Sequence, residues 1–128
     1  MKAMTDEDPG LASRVERVRR YYTLVDQGKT AALVALFSPD AVYHRPGYAA
    51  LAGRDALSSF YEQVRAIREG RHTICTLISS SAGVAVHGQF HGVLRDGREV
   101  SLRFADFFTF TEADSISSRR TFFFTPLV

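Results

Sequence analysis

The side chains best suited to chemistry are ionisable groups set inside apolar strands, and Asp106 is the foremost of them. The segment from Glu99 to Thr111 reads EVSLRFADFFTFT. Because side chains alternate along a strand, Asp106 shares a face with Leu102, Phe104 and Phe108. An unpaired charge is too costly to leave in a closed apolar core. The pattern therefore predicts that Asp106 is either paired inside the fold or exposed to a cavity in which it acts on a ligand.

Arg119 is the candidate partner for Asp106. It lies in the last predicted strand and alternates with Thr121 and Phe123, so it can face the same way as Asp106. An arginine beside the carboxyl group keeps it ionised, which suits a base or an anchor. Without that arginine, the apolar neighbours disfavour the charged form, and Asp106 becomes a hydrogen-bond-donating acid. The sequence leaves both alternatives open.

Three further polar residues, His87, Gln89 and His91, alternate along one predicted strand and therefore share a face. If this face lines the cavity, the two histidines can exchange protons near neutral pH beside Asp106. The alternative is a sheet face turned to solvent or to a second subunit. Two histidines and a carboxylate are common zinc ligands. The strand spacing relates only His87 and His91 and fixes no third ligand beside them, so we expect no metal and no cofactor.

The elements that position these residues follow from hydrophobic periodicity and from turn residues. Predicted helices cover Leu11 to Gln27, Thr30 to Phe37, and Asp55 to about Glu69. Predicted strands cover residues 41–45, 72–79, 83–95, 99–111 and 115–126. Helices first and antiparallel hairpins afterwards indicate an α+β domain in which the helices pack on one face of a curved, mainly antiparallel sheet.

Composition narrows the class of protein. With 128 residues, 45% of them hydrophobic, the chain fits one domain over residues 11–128, preceded by a polar arm over residues 1–10 that we expect to be disordered. A net charge of +2 with scattered arginines does not favour nucleic acid, and no apolar run is long enough for a membrane span. We expect a cytoplasmic protein. The single Cys75 excludes an intramolecular disulfide and reads as core filling.

The order of these parts resembles the nuclear transport factor 2-like superfamily. This cone-shaped α+β fold with an internal pocket includes ketosteroid isomerase and the SnoaL-like polyketide cyclases. The resemblance covers the chain from Val15 to Phe124. It rests on the helix with Tyr21 and Gly28, on ALFSPDAVYHRPG at 35–47, on GRDALSSFY at 53–61, and on the two long hairpins.

The resemblance implies roles for individual residues. Tyr21, seven residues before Gly28, resembles the oxyanion-hole tyrosine of ketosteroid isomerases, and Asp106 resembles the carboxylic acid that completes that hole. The isomerase's general base corresponds here to Arg45, which cannot accept a proton. Arg45 would instead hold an enolate or another anionic group. SnoaL-like cyclases resemble this chain in using a single aspartate, so Asp106 can itself be the acid/base.

We therefore expect a cofactor-independent isomerase, cyclase or dehydratase that acts on a small hydrophobic carbonyl compound in polyketide or other secondary metabolism. Asp106, Tyr21, His87 and His91 are the predicted catalytic residues. The predicted substrate contacts are Arg45, Gln89, Phe104, Leu102, Arg119 and Phe60.

Two alternatives stay open. One is a domain without catalytic activity that binds a hydrophobic ligand or a partner protein. The other is an epoxide hydrolase, whose Asp-Arg-Asp arrangement in this fold needs a second aspartate that the sequence does not place. In each case we expect a homodimer formed through the outer sheet face, to which residues 122–124, three phenylalanines, contribute.

Overall fold

Three helices precede and partly interrupt a six-stranded sheet in the computed structural model, which describes residues 9–124. The helices are α1 (Pro9–Gln27), α2 (Thr30–Val34) and α3 (Arg54–Ser59), and α3 continues into a π-helical turn at Phe60–Val64. The strands are β1 (Phe37–His44), β2 (Leu51–Ala52), β3 (Ile67–Ser80), β4 (Gly83–Leu94), β5 (Glu99–Phe110) and β6 (Ile116–Phe123).

The strands form one mixed sheet in the order β2-β1-β6-β5-β4-β3. Neighbouring strands are antiparallel except for β1 and β6, which are parallel. Long hairpins join β3 to β4 and β4 to β5, as the turn residues predict. The predicted α+β class, with helices on one face of a curved and mainly antiparallel sheet, is confirmed.

The core lies between the helices and the concave face of the sheet. Helix α1 contributes Val18, Tyr21 and Tyr22, which are almost completely buried. The facing strands contribute Phe104 and Phe108, from the alternating row predicted in β5. Burial of this apolar surface, at about 25 cal/mol per Å², is the main force that holds the helices on the sheet.

Two predicted helices are longer than the observed ones. Helix α2 ends at Val34, because Phe37 already pairs with Ile116 at the start of β1. Helix α3 and its π-helical turn end at Val64, and β3 begins at Ile67, which pairs with Leu94. In both places strand pairing with a distant part of the chain determines the structure, against local helical periodicity.

Other differences are smaller. Cys75 is exposed at an irregularity in the β3–β4 pairing, so its predicted place in the core is wrong. The predicted arm over residues 1–10 lies outside the described residues except at positions 9 and 10, which already belong to α1. Strand β6 ends at Phe123, and residues 125–128 lie outside the described range. Within residues 9–124, no helix is both long and apolar enough to cross a membrane.

Candidate functional site

Asp106 lies at the centre of the fold with no solvent exposure. Its carboxylate accepts three hydrogen bonds, from the Tyr22 hydroxyl, from Thr121 Oγ1 at 2.5 Å and from Arg119 Nη2 at 2.8 Å. Asp106 is the acceptor in every one of these contacts, which is the arrangement of an ionised carboxylate. The alternative in which Arg119 pairs with Asp106 is therefore the one observed.

Arg119 is itself 3% exposed, and aromatic rings enclose it. Its guanidinium lies 4.7 Å from the ring centre of Tyr21 and 4.6 Å from that of Tyr43, both favourable cation–π contacts. Burial alone would lower the pKa of Arg119, but the charge of Asp106 and the surrounding tyrosines raise it well above its usual value. The cation is thus fixed beside the carboxylate, and its Nη1 donates to the Tyr61 hydroxyl at 3.3 Å.

Four tyrosine hydroxyls extend this polar network. Tyr21 and Tyr61 share a hydrogen bond of 2.5 Å, and Tyr43 shares one of 3.0 Å with Thr121. Burial is the largest cause that raises the pKa of Tyr21, Tyr22 and Tyr61. These phenols therefore keep their protons near neutral pH and can donate hydrogen bonds to an oxyanion.

The structure separates the roles of the two adjacent tyrosines. Tyr22, which the sequence did not single out, donates to Asp106, whereas the predicted Tyr21 reaches Tyr61 instead. Both hydroxyls point inward, and their rings meet edge to face at 5.1 Å. Tyr21 thus remains in the network, linked to Arg119 through the Tyr61 hydroxyl, and Tyr22 is the aspartate's direct partner.

Arg45 directly follows strand β1 and extends the network in that direction. Its Nη1 donates to the Tyr43 hydroxyl at 3.1 Å, and its guanidinium lies over the rings of Phe60 and Phe123, at 5.6 Å and 5.0 Å from their centres. The half-buried Arg45 therefore points towards the network. It is linked to Asp106 through Tyr43 and Thr121 rather than by direct contact.

The polar row of β4 faces the other way. Val86, which pairs with Asp106, is buried on the concave face, so the alternating His87, Gln89 and His91 lie on the convex face. Consistent with this, His91 bonds the Ser101 hydroxyl at 2.7 Å on the outer surface. The prediction that these three residues share a pocket with Asp106 is wrong.

The predicted apolar contacts fill the space around the network. Phe104 is buried, with its ring 5.8 Å from that of Tyr22, and Phe60 is buried against Tyr61 at 5.2 Å. Leu102 is half-buried at the edge of the core. None of the three lines the cleft near the end of α1, and neither does Asp106.

A cleft of about 850 Å³ lies between the end of α1, the π-helical turn and the start of β3. Its lining includes Asp26, Tyr61, Glu62, Arg65, Ile67 and Arg95. The π-helical turn, a feature often found at functional sites, is what presents Tyr61 and Arg65 here. Tyr61 belongs both to the cleft and to the buried network, so it connects the two.

A second acid–base pair, absent from the sequence-based predictions, lies at the edge of this cleft. Asp26, the penultimate residue of α1, accepts hydrogen bonds from His72 Nδ1 at 2.6 Å and from the His72 backbone N–H at 2.9 Å. Burial lowers the pKa of His72, and Asp26 opposes that effect. The two residues are 46 positions apart in the chain, so no local spacing indicated the pair.

Comparisons with known proteins are consistent with this architecture. A family model described as a SnoaL-like domain matches residues 18–119. No curated protein matches the chain by sequence. Among solved structures, the epoxide hydrolase/cyclase-like enzyme SalBIII, described for its role in pyran ring formation in the polyether salinomycin, is 25% identical with a TM-score of 0.78, over 89% of this chain and 92% of that one. An NTF2-like protein of unknown function from Burkholderia pseudomallei K96243 is 20% identical with a TM-score of 0.80, over 88% and 91% of the two chains.

Proposed function

The chain belongs to the SnoaL-like domain family, and from this premise we propose that it is a cofactor-independent acid–base enzyme acting on a small, largely apolar carbonyl compound. One observation carries the proposal. A buried carboxylate, its arginine and several protonated hydroxyls form a continuous network, and Tyr61 joins that network to a cleft of about 850 Å³. Such a cleft is large enough for a molecule of a few fused rings.

The carbonyl oxygen of the substrate is placed at Tyr21 and Tyr61 in this proposal. These hydroxyls bond each other, and Tyr21 has no other hydrogen-bond partner within residues 9–124. An entering carbonyl can replace that contact and receive both donors. The Arg119 charge behind Tyr61 then favours the oxyanion that forms when a neighbouring carbon loses its proton.

Asp106 is the proposed proton-transfer group. As a carboxylate it can take a proton from the carbon next to the carbonyl, forming an enolate, and return that proton to another position, which is an isomerisation. The same enolate can add to a second carbonyl in a ring closure, or expel a hydroxyl group as water. The Tyr22 and Thr121 hydroxyls donate hydrogen bonds to this carboxylate. During the reaction these hydroxyls are either displaced by the substrate or relay the proton.

The charge of Arg65 favours a substrate with a polar or anionic end in the cleft. Its side chain lines the cleft, and it forms no ion pair with any carboxylate in the described part of the chain. Arginine binds carboxylate and enolate oxygens through paired N–H donors. Arg45 is the corresponding cation at the far end of the network, where we propose that it supports Tyr43.

The relation to SalBIII bears on the choice of reaction. That enzyme is described as epoxide hydrolase/cyclase-like and linked to pyran ring formation, so ring closure belongs among the reactions proposed for this chain. Epoxide hydrolysis by an Asp-Arg-Asp arrangement is less well supported. In residues 9–124, Arg119 has one carboxylate partner, Asp106, and the Asp26 carboxylate is held by His72.

A binding domain without chemistry is the second candidate function, and one observation favours it. Asp106 is fully buried, and its carboxylate accepts three hydrogen bonds, one of them from Arg119, as in a structural ion pair. In that case the network would stabilise the fold, while the cleft held a ligand unchanged. The two candidates differ in whether a bound carbonyl compound exchanges protons.

The experiment measures that exchange directly. Cyclic ketones, 2-tetralone among them, are incubated with the protein in D₂O, and loss of the α-proton signal is followed by NMR. The acid–base enzyme accelerates exchange, and Asp106→Asn lowers the rate by about 100-fold or more, because a positioned general base contributes roughly 10² to 10⁴. Ser118→Ala, on the outer sheet surface, serves as the matched control. Binding of the ketones with equal exchange in both proteins would leave the binding domain as the function.

We also propose a homodimer formed through the convex sheet face. Phe107, Phe122 and Phe124 are about half exposed there, at 50%, 47% and 55%, and the rings of Phe107 and Phe122 already contact each other at 5.9 Å. Exposed aromatic patches of this kind are typical of subunit contacts. Light scattering on the purified protein tests the assembly, and Phe122→Ser is expected to shift it towards monomer.

A further inference from the structure

Arg65 is a cation without a partner in the lining of the cleft of about 850 Å³. Its side chain is half-buried, and its guanidinium forms no hydrogen bond and no ion pair with any residue from 9 to 124. Its nearest aromatic contact is loose, since the guanidinium carbon lies 6.0 Å from the ring centre of Tyr61. Arginine is rarely buried without a counter-charge, because removing a cation from water is costly. An anion bound in the cleft would offset that cost.

The electrostatic surroundings of Arg65 leave its charge uncompensated. Burial is the largest cause that lowers its pKa, and the charges of Arg45 and Arg119 act in the same direction, against Tyr21 and Tyr61. A guanidinium nevertheless keeps its proton at neutral pH. The side chain therefore remains a cation, and the oxygens of a ligand can supply the hydrogen bonds that the described residues do not.

The other two arginines that line the cleft have partners. Arg95 donates from Nε and Nη2 to the backbone carbonyls of Arg65 and Glu62, at 2.7 Å and 3.0 Å. Arg68 lies 3.7 Å from Glu69, and both side chains are exposed. Among the described residues, Arg65 is thus the cation of this lining that is left to bind a ligand.

Backbone hydrogen bonds hold Arg65 in place. Its N–H donates to the Phe60 carbonyl at 2.8 Å, which closes the π-helical turn, and its own carbonyl accepts the bond from Arg95. The backbone N–H of Arg95 donates in turn to the Ala66 carbonyl at 2.7 Å. A binding group on a fixed backbone loses less entropy when its ligand binds. The turn therefore presents Arg65 in an ordered position.

Tyr61 and Arg65 lie on the same turn and both line the cleft. The Tyr61 hydroxyl shares a hydrogen bond with Tyr21 and accepts one from Arg119, at the point where the substrate carbonyl is proposed to bind. The guanidinium carbon of Arg65 is 6.0 Å from the Tyr61 ring centre. A ketone oxygen at Tyr61 and an anionic group at Arg65 can therefore belong to one small molecule, with a spacer of about two or three carbon atoms between them.

We infer that Arg65 binds a carboxylate of the substrate, which makes the substrate a keto acid with a short spacer between its ketone and its carboxylate. Arginine suits this role, because its planar group donates two parallel hydrogen bonds to a carboxylate. The ketone in this inference rests on the acid–base function proposed above. The carboxylate site rests on Arg65 and the cleft alone.

The rest of the lining favours a carboxylate over a phosphate. Three acidic residues also line the cleft, Asp26, Glu62 and Glu69, so a doubly charged group would meet more repulsion than one arginine offsets. Val25 and Ile67, both buried, belong to the same lining and provide an apolar surface for the hydrocarbon part of the substrate.

Isothermal titration calorimetry tests the site with 3-benzoylpropionate, an aromatic keto acid with a two-carbon spacer, and with its neutral methyl ester. We expect the acid to bind at least about 10-fold more tightly than the ester, through charge-assisted hydrogen bonds. Arg65→Gln removes this preference, and Arg65→Lys, which keeps the charge but loses the paired donors, retains part of it. Arg68→Gln is the matched control, because it removes the same charge from an exposed position in the same lining, and the preference persists.

Exchange of α-protons of the same two compounds in D₂O keeps this inference separate from the proposed function. Arg65→Gln is expected to raise KM for the acid and to leave kcat within about 2-fold, since the contact binds ground state and transition state alike. If the acid binds through Arg65 without exchange, the carboxylate site stands and the proposed function falls. If acid and ester exchange with equal KM, the proposed function stands and this inference falls.

The binding data can also overturn the inference directly. Equal affinities of the wild-type protein for acid and ester would do so, as would a preference that survives in Arg65→Gln or is lost equally in Arg68→Gln. Circular dichroism establishes that each variant is folded. If Arg65→Gln is not folded, Arg65→Lys decides in its place, and a preference as large as that of the wild-type protein would count against paired hydrogen bonds from Arg65.

Discussion

Replacing Arg119 by methionine tests the buried network most severely. The change removes the only cation bonded to Asp106 within the described residues and leaves the carboxylate in a site with no solvent exposure. Methionine fills much of the same volume and packs against rings, so the loss of charge is the main perturbation. The hydroxyls of Tyr22 and Thr121 remain, but they are neutral donors and do not balance a full charge.

The expected magnitude follows from burial. Because Asp106 and Arg119 are both almost completely enclosed, the figures for buried pairs apply, and loss of one partner costs about 3–5 kcal/mol. The two cation–π contacts with Tyr21 and Tyr43 place the value towards the upper end. For a chain of this size, such a loss lowers the melting temperature by roughly 10–20 °C.

Urea denaturation measures the free energy of unfolding, with two further variants beside the first. Asp106→Leu together with Arg119→Met removes both charges, and we expect it to recover most of the loss, since a buried pair replaced by apolar residues is often close to neutral. Arg98→Met is the control, because Arg98 pairs with Asp96 on the exposed surface, and it leaves the midpoint unchanged. A loss below about 1 kcal/mol for Arg119→Met would refute the argument that this pair is isolated from water.

Three more predictions concern single side chains. Tyr22→Phe removes a donor to a buried carboxylate and lowers the free energy of unfolding by about 2 kcal/mol, more than Tyr21→Phe, whose lost partner is a neutral hydroxyl; urea denaturation compares them. Burial lowers the pKa of His72 below its usual 6.5, so as the pH falls the unfolded chain binds that proton before the folded chain does, and stability declines below about pH 6.5. His72→Gln should flatten this decline in thermal melts recorded from about pH 5 to 8. An unchanged dependence of the melting temperature on pH would contradict the prediction. Gly88→Ala places a Cβ 2.4 Å from the Thr73 carbonyl oxygen and 2.7 Å from the Phe104 ring, so we expect a loss of about 1–3 kcal/mol, and a stability equal to wild type would show that the sheet adapts there.

Much of the fold is predictable because its signals are local. Alternation in β5 correctly grouped Phe104, Asp106 and Phe108 on one face, and the Asp96-Gly97 turn correctly indicated a hairpin. The approach of Arg119 to Asp106 was one of two alternatives that alternation allowed. Alternation does not show which face of a strand is turned towards the core.

The β4 strand shows why that second question is harder. His87 and His91 alternate as clearly as the apolar residues do, yet they lie on the convex face. The glycines around Phe90, on the opposite face, indicate which face of β4 is turned towards the core. A Cβ at Gly70 or Gly92 would come within 2.4 Å of the Phe90 ring, so these glycines make room for an inward-facing aromatic side chain.

The Asp26 and His72 pair was out of reach for a different reason. Its two members lie on α1 and β3, and only the packing of that helix against the sheet brings them together. The start of β3 at Ile67 was hidden for the same reason, since its pairing with Leu94 is a long-range contact. Local sequence carries no information on contacts of this kind.

The central claim, that the Asp106 network handles a carbonyl group delivered through the cleft, is tested most directly by a crystal structure with a bound ketone. The compound is the one that exchanges its α-protons fastest in D₂O. The account predicts a ketone oxygen within about 3 Å of the Tyr21 or Tyr61 hydroxyl, with its α-carbon facing Asp106. A ketone held entirely outside the network, with the Tyr21–Tyr61 contact and all three donors to Asp106 intact, would contradict it.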